Sequence, residues 1–144
     1  ITVSTHDSWW NILLTSLESA YGRTPFFEFY IDRFKPLFSA PNYLDGNYQL
    51  MMLNEAADAI IRQILGIETI VDYLPKEDTI ICCDKRTKNY RRIMSEKHIA
   101  AIQYYQVRAG KLGFISGLST LDLIFNLGPD APLVLQKTQQ ALDL

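Results

Sequence analysis

Residues 47–73, NYQLMMLNEAADAIIRQILGIETIVDY, hold two patterns in succession, and their order decides the fold. In the first, Leu50, Leu53, Ala57, Ile60, Ile61 and Ile64 recur at three and four residues, the period of one helix face. The spacing predicts a helix over 47–65, closed by Gly66. In the second, Ile67 to Tyr73 is rich in β-branched residues and short enough for a strand. Pro75 to Asp78 reads as a turn, and Thr79 to Cys83 as a second strand. A helix followed by a hairpin makes the chain a helix-rich α+β domain with a small number of short strands.

Upstream, Ile1 to Thr5 is extended in character. Asp7 or Ser8 is placed to cap a helix carrying Trp10, Leu13, Leu14, Leu17, Ala20 and Tyr21 on one side. Gly22 is expected to end it in a left-handed conformation. Thr24-Pro25 reads as N-cap and first residue of the next helix, whose buried stripe is Phe27, Tyr30, Ile31, Phe34 and Phe38, with Pro36 near its end. Ser39 to Asn47 is a loop. Downstream, a helix or helical turn is expected from about Ile99 to Lys111, with Ile102, Tyr105, Ala109 and Leu112 on one side. Ser119 and Asp122 have the spacing of a capping box, in which each side chain satisfies the other's backbone N–H. Gly128-Pro129 stops that helix, and a last one runs from Ala131 to about Leu142.

The 144 residues fit one domain, 1–144. At 48% hydrophobic and 21% charged the composition is that of an ordinary globular protein. The net charge of -2 disfavours a general nucleic-acid binder, so no nucleic-acid partner is expected. No run approaches the roughly 20 apolar residues of a membrane span. The two cysteines, Cys82 and Cys83, are adjacent, a spacing that strains a disulfide between them. Two free thiols suit a reducing compartment, and a cytoplasmic location is expected.

Ready-made catalytic signatures are absent. His6 and His98 are far apart, and Cys82-Cys83 lacks metal-knuckle spacing, so neither a metal nor a cofactor is expected. No phosphate-cradling glycine loop occurs. The segment Lys85 to Lys97 carries Lys85, Arg86, Lys88, Arg91, Arg92 and Lys97 against Glu96 alone. A solvated loop is the commoner meaning of such a run; forked bonds to phosphate are the functional one. Asp84 and Arg86, one residue apart at a strand end, share a face and could hold an anion or simply pair. In Tyr104-Tyr105-Gln106, aromatic faces and an amide fork suit sugar recognition, with Tyr105 expected in the core. Asn126, whose commoner role near a helix end is capping, completes the candidate substrate-binding set of Asp84, Arg86, Tyr104, Gln106 and Asn126.

Three stretches together resemble the WbqC-like protein family. The first contains Ala20-Tyr21-Gly22-Arg23-Thr24-Pro25-Phe26-Phe27-Glu28-Phe29-Tyr30. The second is Leu53-Asn54 leading to Leu65-Gly66-Ile67. The third is Tyr104-Tyr105-Gln106-Val107, then Gly113-Phe114, Leu118-Ser119, Leu121-Asp122-Leu123, Phe125-Asn126 and Gly128-Pro129. Asp84 and Arg86 match an Asp-x-Arg element after a strand. Leu13 stands where the family often has a histidine, and Arg108 where an aromatic is common. The family's N-terminal Gln-Pro-x-Tyr opening and Asn-Arg pair have no counterpart, so the chain is expected to lack the family's N-terminal portion. The resemblance implies a role in bacterial surface-polysaccharide (O-antigen) biosynthesis. It further implies a transferase acting on a sugar nucleotide or other phosphorylated small molecule, with glycyl or acyl transfer to an amino sugar among the suggested reactions. The rival expectation is an accessory domain that binds a protein partner in the same pathway.

Overall fold

The computed structural model describes residues 1–39, 47–72 and 102–142, with side chains to residue 140. Helix α1 spans Trp9–Tyr21 and α2 spans Phe27–Phe34, which tightens into a 3-10 turn at Lys35–Phe38. Helix α3 is Leu50–Leu65, α4 is a single turn at Ala109–Leu112, and α5 is Thr120–Leu127. A 3-10 turn, Gly128–Asp130, leads straight into α6, Ala131–Leu142.

Phe125 is the centre of the core. It is wholly buried, and Phe27, Tyr21 and Phe34 surround it with ring centroids 5.0, 5.2 and 6.2 Å away. These tilted and edge-on contacts match the preferred geometry of aromatic quadrupoles. Ile124, Leu123, Ala131, Ile31, Leu37 and Leu65 complete the buried cluster. The stripe of α2 is buried as its period predicts, with Phe27, Ile31 and Phe34 inside. Helix α3 lays a half-buried stripe, Leu53, Ala57, Ile60, Ile61 and Ile64, against the same core and buries Leu65 fully.

Among the described residues the protein is all-α, which overturns the expected α+β class. Ile67 to Asp72 follows α3 without helix or strand, and its residues are exposed. A β-branched run becomes a strand only by pairing, and this stretch has no partner strand among the described residues. Tyr73 and the second expected strand, Thr79 to Cys83, lie outside them. The N-terminal stretch makes a single antiparallel bridge, Thr2 with Gln49, flanked by Val3 N–H to Tyr48 O at 2.8 Å and Leu50 N–H to Ile1 O at 3.0 Å.

Several local expectations are also revised. Helix α3 begins at Leu50, because residues 48–50 are engaged with the N-terminal stretch. Thr24 is not a cap. Its hydroxyl donates back to Tyr21 O at 2.7 Å, securing the end of α1, and α2 starts at Phe27. Gly22 keeps right-handed dihedrals; a Cβ there would lie 2.5 Å from Glu18 O, so close approach rather than handedness suits it to glycine. Of the stretch expected as a helix or helical turn, 99–111, residues 102–106 are non-helical and the turn forms at α4, while 99–101 lie outside the described residues. Tyr105 is exposed and Tyr104 turns inward instead. The capping box does not form: Ser119 and Asp122 share a backbone bond, Asp122 N–H to Ser119 O at 2.9 Å, and the carboxylate is used elsewhere.

Candidate functional site

Helix α5 buries five consecutive residues, Asp122 to Asn126, and two of them are polar. A fully enclosed helix turn cannot present a side chain to water, so Asp122 and Asn126 must find partners inside. They find them in the non-helical segment 104–107. Tyr104 donates its hydroxyl to Asp122 Oδ2 at 2.6 Å, and Gln106 Nε2 donates to the same oxygen at 3.0 Å. Asn126 Nδ2 donates to Asp122 Oδ1 at 3.2 Å and to Asp122 O at 2.8 Å. Asn126 Oδ1 in turn accepts the Val107 N–H at 2.9 Å.

Gln106 also spans a loop. Its Oε1 accepts the Ile115 N–H at 3.0 Å, and its Nε2 donates to Ile115 O at 2.9 Å. The side-chain amide thus stands in for a backbone neighbour and pins residue 115 beside residue 106. The Phe114 ring, edge-on to Tyr104 at 5.3 Å, reinforces the junction.

Asp122 is the electrostatic centre of the cluster. Its three side-chain donors are neutral, and the ion pairs found among the described residues, Lys35–Asp32 and Arg62–Asp58, lie elsewhere. Tyr104 responds to this setting. Burial, then its hydrogen bond to Asp122, push the phenol up to about 12, with the Gln106 contact opposing. Tyr21 is raised for related reasons, burial first and the Asp122 charge second, with Arg108 and Ser119 opposing. Both phenols are held in the protonated form, and that of Tyr104 serves as a donor to Asp122.

The cluster floors a recess of about 190 Å³. Val107, Leu112, Ile115 and Leu118 supply apolar wall, while Tyr21 and Thr24 close the side toward α1. Arg108 lines it as well and donates from Nη2 to Ser19 O at 3.0 Å, at the C-terminal end of α1. A mostly apolar concavity with convergent polar groups is the usual form of a small-molecule site.

Of the five candidate residues, the structure brings Tyr104, Gln106 and Asn126 together; Asp84 and Arg86 lie outside the described residues. Gln106 and Asn126 have their amide groups engaged internally. Asp122, read from sequence as a cap, Tyr21, read as a helix-face residue, and Arg108, noted there only as a departure from the family pattern, also line the recess. One signal could have exposed Asp122 and Asn126: two polar residues four apart in an otherwise apolar helical turn share a face and must be satisfied together.

With this geometry in place, comparison with known proteins defines the class. Residues 1–111 match the WbqC-like protein family, more than half of the chain. The chain belongs to that family. The match ends at Lys111, so Gln106 and Arg108 fall within it, and Asp122 and Asn126 beyond it. No curated protein and no solved structure matches the chain.

Proposed function

We propose that the protein is a transferase of bacterial surface-polysaccharide biosynthesis and that the recess above Asp122 receives part of its substrate. The single observation that supports this is a buried carboxylate with no cationic partner among the described residues, lining a concave, largely apolar recess. Asp122 accepts from three neutral donors, and a ligand bearing donor groups would add to that set. Family membership supports the pathway. The substrate class follows the same reading: a sugar nucleotide or other phosphorylated small molecule, with transfer of a glycyl or acyl group to an amino sugar. Arg108 at the recess and Arg86 in the cationic segment are the proposed contacts for the charged part, with Asp84 beside Arg86 to hold it in position.

A thermal-shift screen against nucleotide sugars, acyl donors and free phosphates tests this. A ligand at about a hundredfold excess over its dissociation constant adds about 2.7 kcal/mol to the folded state. The expected result is a raised Tm with a nucleotide sugar, lost in Arg108→Ala or Arg86→Ala. A shift that survives both replacements would reject the proposed contacts. No shift with any of these compounds would favour the second reading, an accessory domain. That reading is supported by exposed apolar side chains, Leu50, Met51 and Met52 at the start of α3 and Phe29 on α2.

A further inference from the structure

The recess has one wall unlike the others. Residues Arg108 to Gly113 leave the polar cluster at Val107 and return to it at Phe114, and both ends of the excursion are pinned. Gln106 holds Ile115 through two hydrogen bonds, Asn126 holds the Val107 N–H, and Phe114 packs edge-on to Tyr104.

Between these anchors the segment bonds mainly to itself. Lys111 and Leu112 N–H groups donate to Arg108 O at 3.0 and 3.1 Å, and Gly113 N–H donates to Ala109 O at 2.9 Å. Ala109 N–H reaches back to Gln106 O at 2.9 Å. Leu112 is 63% exposed, and a Cβ built at Gly110 or Gly113 would meet nothing within 4 Å. Gly113 has φ +73°, a conformation that glycine enters and leaves without steric cost. Among the described residues, the hydrogen bond that ties 108–113 to another helix is Arg108 to Ser19 O, and it is exposed.

We propose that residues 108–113 form a hinged flap over the recess, with the Gln106–Ile115 junction as its fixed neck and the Arg108–Ser19 bond as its latch. The neck rests on the buried Gln106 side chain, held by several part-buried bonds, and the latch on one exposed bond, so the latch yields first. Release swings Ala109, Leu112 and Gly113 away from the recess they line, while Gln106, Asp122 and Asn126 keep their places. An anion at the rim is a stronger acceptor for a guanidinium than the neutral Ser19 carbonyl and would open the latch by competition. The flap's use in binding rests on the recess reading above; its motion does not.

Backbone 15N relaxation on the full chain and on Arg108→Ala tests the motion without any ligand. The expected result is amide order parameters near ~0.85 at 109–113 in the native chain, falling below ~0.6 in Arg108→Ala, with Val107, Ile115 and α5 unchanged. Arg108→Lys, whose ammonium can still reach a carbonyl, should recover part of the order. A small soluble nitroxide should broaden the Tyr21 and Asp122 amides more strongly in Arg108→Ala than in the native chain. Order parameters at 109–113 that do not change would overturn the latch. Loosening of Val107 or Ile115 along with 109–113 would overturn the fixed neck, and equal nitroxide broadening would overturn the covering role. None of these outcomes depends on whether a nucleotide sugar binds.

Discussion

Asp122 gathers its donors from two parts of the chain far apart in sequence, and Tyr104 is the shortest of those links. Tyr104→Phe removes one donor from a buried carboxylate while keeping the ring against Phe114. Loss of a hydrogen bond to a charged group costs about 1.5–3 kcal/mol, so the urea midpoint should fall with the denaturant slope unchanged. Burial of the phenol first, and the same bond second, set an alkaline limit. The folded phenol titrates near 12 and the unfolded one near 10, so the unfolded chain releases its proton first as pH rises. The Tyr104 contribution is therefore complete below pH 10 and is lost between about 10 and 12, a decline to which Tyr21 adds. Urea unfolding across that window should show the loss, and Tyr104→Phe should make it shallower. From sequence, Tyr104, Gln106 and Asn126 could be chosen for their hydrogen-bonding groups. What could not be read was that Gln106 and Asn126 spend those groups on the backbone of Ile115 and Val107 and on Asp122. That information lies in tertiary pairing between 104–107 and α5, which no local period carries.

The helices show a similar division. The stripes of α2 and α3 were legible because a 3.6-residue period is a local property, and burial followed it except at Leu50, which is exposed. Chain reversals and capping were less so. Thr24 and Ser119 have residue types suited to N-caps, yet neither side chain caps: the Thr24 hydroxyl turns back to Tyr21 O, and Ser119 stands at the start of α5 without a side-chain cap bond, a contribution of about 1 kcal/mol where it forms. The run Ile67 to Asp72 has strand composition, but composition cannot supply a neighbour. Gly128 joins α5 to the 3-10 turn at φ +54°, and a Cβ there would lie 2.5 Å from the Phe26 ring. Gly128→Ala should therefore suffer both backbone strain and a clash, and lose about 2–4 kcal/mol. Calorimetry of the variant should show a lower Tm. A normal Tm would mean that Phe26 can move aside and that the turn tolerates an L-residue.

Across the whole molecule, the family match and the core do not coincide. The match ends at Lys111, whereas Leu123, Ile124, Phe125 and Ala131 belong to the buried cluster. A chain cut after Lys111 would leave Phe27, Ile31 and Phe34 facing water. Removing even one core aromatic typically costs about 3–5 kcal/mol, a large share of a typical domain's stability. The shortened chain should show no cooperative thermal transition and should bind a dye specific for exposed apolar surface. A sigmoidal melt from it would mean that 1–111 has a sufficient core of its own.

The backbone bond from Phe26 N–H to Phe125 O, 3.0 Å long, joins positions 99 residues apart. During synthesis the aromatic face of α2 therefore emerges long before its covering helix exists. At ~5–20 residues per second the ribosome needs about 5–20 s to deliver Phe125 after Phe26. For that interval the nascent chain carries an unshielded aromatic stripe, a natural substrate for holdase chaperones. Slower translation of the last third would lengthen that exposure, so the yield of native protein should depend on elongation rate in the codons for α5.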